Sequence, residues 1–175
     1  ILPYVDNQRV STRRLAVYAL GEASNGSNAK VVGALLAALT NDQDDLVRSN
    51  AAYAMGQIFR CKVSDFSAAI DTLIHRLSPG VEPNNTEVAL FPRSTVRQSI
   101  AYSLLQAASN HEFSYEQIEK LLALTLEDDD RYVQGFAIEI TRQNQNLSAR
   151  SVDALLAALS RLRLSPSAPA VISES

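Results

Sequence analysis

A ten-residue pattern recurs along this chain. It constrains the fold more than any other feature, because each copy must adopt the same local structure and cover the same kind of surface. Val47 to Gly56 reads Val-Arg-Ser-Asn-Ala-Ala-Tyr-Ala-Met-Gly. Thr12 to Gly21 reads Thr-Arg-Arg-Leu-Ala-Val-Tyr-Ala-Leu-Gly, and Val96 to Leu105 reads Val-Arg-Gln-Ser-Ile-Ala-Tyr-Ser-Leu-Leu, so Arg and Tyr keep their spacing each time. A fainter copy runs from Val133 to Arg142, with Gln134 in the Arg position and Glu139 in the Tyr position.

Each copy precedes a second apolar stretch. Val32, Ile70, Ile118 and Val152 lead, followed by Leu35, Leu73, Leu121 and Leu155 and then Leu36, Ile74, Leu122 and Leu156. That spacing is helical. Residues 34–39 and 154–159 both read Ala-Leu-Leu-Ala-Ala-Leu, which fixes the register of the first and fourth copies. The unit is therefore a helix pair, its helices separated by short loops rich in Asp, Asn and Gly that suit turns and helix N-caps. A pair of this kind cannot cover its own apolar side, so neighbours must stack and share one core. We expect an all-α fold, a right-handed α-α superhelix or solenoid of about four helix pairs, over residues 1–163. The repeats lie near 9–40, 44–78, 93–126 and 130–163, an insertion spans 79–94, and an extended C-terminal tail occupies 164–175. The first residues fit the end of a preceding second helix, with Ile1 in the Leu36 position, which points to a longer parent chain.

The pattern Val-Arg-x-x-Ala-Ala-x-Ala-Met-Gly at 47–56, followed by an apolar helix, resembles the short HEAT-like repeats of phycobilin lyase subunits and bacterial scaffold proteins. The resemblance spans residues 12–162. It implies a superhelix whose second helices line the concave surface, and a role in scaffolding or as an accessory to an enzyme. Tetratricopeptide repeats want a Trp that this sequence lacks, and armadillo units carry a third helix.

Composition narrows the function. Hydrophobic residues make up 46% of the 175 residues and charged residues 20%, the balance of a chain that folds. The net charge of −3 offers no general attraction to phosphate, so nucleic acid and anionic membrane are not expected partners. No apolar run reaches the roughly 18 residues of a membrane span, and a cytoplasmic location is expected. The single cysteine, Cys61, cannot close an internal disulfide.

Catalytic chemistry has little to work with. His75 and His111 are the two histidines, too few for a HEAT-like hydroxylase whose metal site draws on several His-Glu pairs. HEAT-like DNA glycosylases need a basic aromatic groove. No Gly-rich phosphate loop, zinc spacing or Gly-x-Ser-x-Gly elbow is present. We assign no catalytic residue, metal or cofactor, and read the acids Asp42, Asp44, Asp45 and Glu127 to Asp130 as helix caps.

Four features remain as candidates. Arg13, Arg48 and Arg97 lie on the repeat-facing side of their helices, where a structural ladder to loop acids or carbonyls is expected. Tyr18, Tyr53 and Tyr102 fall on a different face, shared with Leu15 and Glu22, Asn50 and Gln57, and Ser99 and Gln106. A tyrosine stripe among polar groups suits a protein interface. Asp71, Glu119 and Asp153 share one position of the second helices, an acidic line that favours a basic partner segment. Leu90 and Phe91 sit in the insertion, where repeat proteins often place specific contacts. The expected function is non-catalytic binding of a partner protein or peptide along the solenoid groove. A lyase-like accessory subunit that holds a small molecule is the rival, and the oligomeric state stays open.

Overall fold

A computed structural model describes residues 1–23, 28–60, 66–82, 95–110, 113–126 and 128–143, together with residues 152, 153, 156, 157 and 160. After a short 3-10 turn at Leu2–Tyr4 come seven α-helices: α1 Val10–Ala23, α2 Ala29–Asn41, α3 Asp45–Phe59, α4 Ser67–Arg76, α5 Val96–Ala108, α6 Tyr115–Thr125 and α7 Arg131–Gln143. No strand occurs among the described residues, and residues 152, 153, 156, 157 and 160 are also helical. The fold is an all-α superhelix of stacked helix pairs.

Polar residues start the helices where the sequence expects. Asn28 caps α2 by accepting from the Lys30 N–H, and Asp44 caps α3 by accepting from the Val47 N–H. Thr95 with Gln98, and Ser114 with Gln117, form reciprocal capping boxes that open α5 and α6. Each cap satisfies backbone donors that the helix itself leaves unpaired.

The helices form two layers. In the first, α1, α3, α5 and α7 lie side by side in extensive contact; in the second, α2, α4 and α6 touch one another sparingly and pack instead on the following helix of the first layer. Leu35, Leu39, Ile70, Leu73, Ile74, Ile118, Leu121 and Leu122 bury between the layers with Met55, Ile58 and Ile100. Each fully buried aliphatic side chain contributes about 1.5–3 kcal/mol. Val152 and Leu156 differ from their aligned counterparts, since they are 40% and 57% exposed whereas Ile118 and Leu122 are buried.

Small residues let the first layer close up. Gly21 lies against Ala54 and Gly56 against Ser103, so close that a Cβ on Gly21 would stand 2.6 Å from the Ala54 Cβ. Hydroxyls fill the remaining polar needs of this buried seam: Ser49 and Ser99 share a hydrogen bond of 2.8 Å, and Ser103 donates to the Ala52 carbonyl. After α4 the chain turns through Gly80, at φ +77°, and the turn returns the Glu82 side chain to full burial. The expected insertion over 79–94 is described only as far as Glu82; Leu90 and Phe91 lie outside the described residues, as does the 164–175 tail.

Candidate functional site

The arginines act as clamps between repeats. Arg13 forks onto Asp42, at 2.7 and 3.0 Å, while its third nitrogen donates to the Asn7 carbonyl. Arg48 repeats the arrangement with Glu82 and with the Asp42 carbonyl, and also pairs with Asp45. Arg97 repeats it with Asp128 and the Leu77 carbonyl. Each guanidinium thus joins an acid at the end of its own repeat to a carbonyl at the end of the one before, a geometry that a planar fork of donors suits. Gln134 stands in the Arg position of α7 and keeps half of the clamp, donating to the Leu126 and Asp128 carbonyls. Glu82 also pairs with Arg76, so one buried carboxylate serves two guanidiniums.

The loop acids are committed in the same way. Asp44 accepts from Arg14 at 2.9 and 2.6 Å as well as capping α3, and Asp130 accepts from Gln98 and the Tyr132 N–H. Among the described residues, no group of three or more His, Cys, Asp and Glu is arranged to hold a metal ion. Cys61 and His111 lie outside the described residues, and His75 is exposed in the last turn of α4.

These ion pairs make a pH prediction. The Arg14 fork, opposed by burial and helped by the Val47 N–H, holds the Asp44 carboxyl below its ordinary range. Burial pushes Asp42 up, but the Arg13 hydrogen bond and the Asp44 N–H outweigh it and leave Asp42 lowered too. Both groups bind protons more readily when unfolded, so they stabilise fully above the ordinary carboxylate range and lose that contribution as pH falls through their folded pKa values. Acid denaturation should therefore steepen below about pH 4. In Arg14→Gln the same titration should be shallower, as read by circular dichroism at a fixed urea concentration.

The tyrosines form a stack. The rings of Tyr18 and Tyr53 lie 6.3 Å apart and within 8° of parallel, and those of Tyr53 and Tyr102 are 5.6 Å apart and within 12°. Phe136 closes the far end edge-on to Tyr102 at 6.4 Å. The sequence pattern offers Glu139 there; the aromatic ring instead comes from one turn earlier in α7, at the position of Asn50 and Ser99. A search for aromatics one helical turn either side of the Tyr position would have found it. Arg60 pins the stack from the end of α3, donating to the Tyr102 hydroxyl at 3.0 Å and to Gln106 at 3.1 Å. Tyr18 is 44% exposed, while Tyr53 and Tyr102 are half-buried. Burial, with Tyr102 and Glu22 nearby, raises the pKa of Tyr53 and keeps its hydroxyl neutral.

Part of the expected polar face is not open. Asn50 and Ser99 are buried between neighbouring first-layer helices, where Asn50 donates to the Arg14 carbonyl and Ser99 meets Ser49. Close backbone approach leaves these short polar chains facing one another rather than solvent. Glu22, Gln57 and Gln106 remain at least partly accessible beside the rings.

The acidic line is divided. Asp71 is exposed and accepts from Gln117 at 2.9 Å across the α4–α6 contact, Glu119 is half-buried, and Asp153 is exposed.

A sequence profile described as HEAT repeats matches residues 2–90, about half of the chain. The chain is a HEAT-repeat protein. Among solved structures it is similar to an engineered protein determined by a structural genomics consortium, at 20% identity and a TM-score of 0.58, covering 93% of this chain and 69% of that one. It also matches the complex of CpcE and CpcF of phycocyanin lyase from Nostoc sp., at 18% identity and a TM-score of 0.38, over 94% of this chain and 69% of that one. No curated protein matches the sequence. No helix among the described residues is long and apolar enough to cross a membrane.

Proposed function

We propose that this HEAT-repeat chain is a protein-binding module that holds a segment of its partner along the tyrosine face of α1, α3 and α5. The observation that carries the reading is the ring stack, in which one aromatic side chain from each of three successive repeats meets the next at a near-parallel angle. Aromatic residues supply interface area at low entropic cost and concentrate binding energy. Here their rotamers are already fixed by stacking and by Arg60, so little ordering remains for the partner to impose. The hydroxyls, with Glu22, Gln57 and Gln106, provide donors and acceptors at the rim.

This face is favoured over the acidic line for two reasons. Asp71 already accepts from Gln117, which reduces what it offers a basic segment. The tyrosine rings, by contrast, are held in register with one another by the close packing of the first layer.

Capture of the partner from source lysate tests the proposal. Tyr18→Ala and Tyr53→Ala should each weaken capture by at least about tenfold with unchanged helical circular dichroism, as interface aromatics do. Reversal of charge at Asp71, Glu119 and Asp153 together should leave it intact. The opposite pattern, tyrosine variants binding normally and the charge reversal binding nothing, would move the site to the second layer.

A further inference from the structure

The tyrosine face offers a partner ring edges rather than ring faces. Tyr53 is covered on one side by Tyr18 and on the other by Tyr102, at interplanar angles of 8° and 12°, and Phe136 stands against Tyr102. An aromatic ring is positive at its edge, and the hydroxyl at its tip brings a proton to donate. Tyr102 accepts from Arg60, which leaves its own O–H for a further acceptor. The row therefore asks for acceptors. An extended chain supplies them, because its backbone carbonyls point to one side at every second residue, roughly 6.4–6.8 Å apart. The rings repeat at 6.3 and 5.6 Å, close to that interval. A helix would keep all but its last carbonyls in its own hydrogen bonds.

The same face is electrically polarised. Glu22 is exposed one helical turn past Tyr18. Arg60 lies over Tyr102 and Gln106, which engage its Nε and one terminal nitrogen, and its other terminal nitrogen keeps donors suited to a carboxylate. Tyr53 stands between the two charges. Burial and Tyr102 are the main reasons its pKa is raised, while Glu22 adds to the rise and Arg60 opposes it, so both fields reach this hydroxyl. On α7, Glu139 and Arg142 neutralise each other.

We infer that the tyrosine face takes an extended peptide segment lying across α1, α3 and α5, its carbonyls on the tyrosine hydroxyls, a basic side chain at Glu22 and an acidic one at Arg60. The inference rests on the reading that this face is the binding surface. Two ring spacings separate the charges, so the basic and acidic residues of the segment lie about four positions apart.

Selection of displayed random peptides of about twelve residues, long enough to cross the stack when extended, against the immobilised chain tests it. Enriched peptides should carry one basic and one acidic residue at about that separation, and Tyr53→Ala should weaken their binding by at least about tenfold. Selection against Glu22→Lys should replace the basic residue by an acidic one, and selection against Arg60→Glu the acidic residue by a basic one, with wild-type circular dichroism in both variants. Each variant should bind the peptides chosen by the wild-type chain at least about tenfold more weakly, since like charges then meet. Arg60→Glu also releases Tyr102, but a loosened ring would weaken every peptide alike and would not exchange the charge selected. Charges about eight residues apart would describe a helical segment and overturn the inference. Peptides that depend on Tyr53 but keep the same charges against both variants would overturn it too, and would leave the tyrosine face standing. If no enriched peptide depends on Tyr53, the face is not the binding surface and the inference falls with it.

Discussion

Asp128→Asn is expected to destabilise the fold by about 3–5 kcal/mol, the range for stranding one member of a buried ion pair. The Arg97 and Asp128 side chains are 4% and 2% exposed, and the guanidinium has the Leu77 carbonyl as its other acceptor. Among the described residues its Nε has no acceptor at all. Neutralising the carboxylate leaves a cation that cannot deprotonate, held away from water by neutral dipoles alone. Urea unfolding should show the loss as a lower midpoint at an unchanged slope. The double variant Arg97→Met with Asp128→Leu should recover much of it, because removing both charges also removes their desolvation cost. Glu139→Gln, at the solvent-exposed pair with Arg142, should leave the midpoint where it is. A comparable loss at the exposed pair would mean that burial is not what gives the clamp its weight.

The clamp also shows how far the sequence could be read. Arg13, Arg48 and Arg97 announce a ladder because they recur at one position of a repeat, and Asp42 and Asp128 sit in loops where an acid partner is expected. Glu82 is different. It lies beyond the turn at Gly80, inside a segment that composition marks only as an insertion, and nothing in its spacing shows that the turn folds back to place it between Arg48 and Arg76. Repeat periodicity reports what the copies share, so it is silent where one copy departs from the rest. The tyrosines show the same limit. Their spacing puts them on one face, but the ring distance depends on how closely α1, α3 and α5 approach, and that depends on Gly21, Gly56 and the serines opposite them. Asn50 and Ser99 were legible as polar and not as buried, because helical period alone does not distinguish a polar residue facing water from one facing a neighbouring backbone.

Gly21→Ala should destabilise the chain although alanine is the better helix former. In an open helix the exchange gains about 0.5–1 kcal/mol. Gly33 has that freedom, since a Cβ there meets nothing within 4 Å, so Gly33→Ala should raise the unfolding midpoint. At Gly21 the new Cβ would stand 2.6 Å from the Ala54 Cβ and 2.7 Å from its Cα, and the second of these is backbone that cannot rotate aside. The helices must separate, at a cost of about 1–3 kcal/mol for an overfilled contact. The same separation would part Tyr18 from Tyr53, whose rings are carried by these two helices. Two measurements should therefore move together: the urea midpoint falls, and partner capture weakens although no residue of the tyrosine face has been changed. Pairing Gly21→Ala with Ala54→Gly should restore little of either, because removing the opposing Cβ leaves the backbone Cα of position 54 at 2.7 Å and the second glycine weakens α3. Capture that holds at the wild-type level in Gly21→Ala while the midpoint falls would show that the rings do not need the close seam, and that helix spacing is not what prepares the face for its partner.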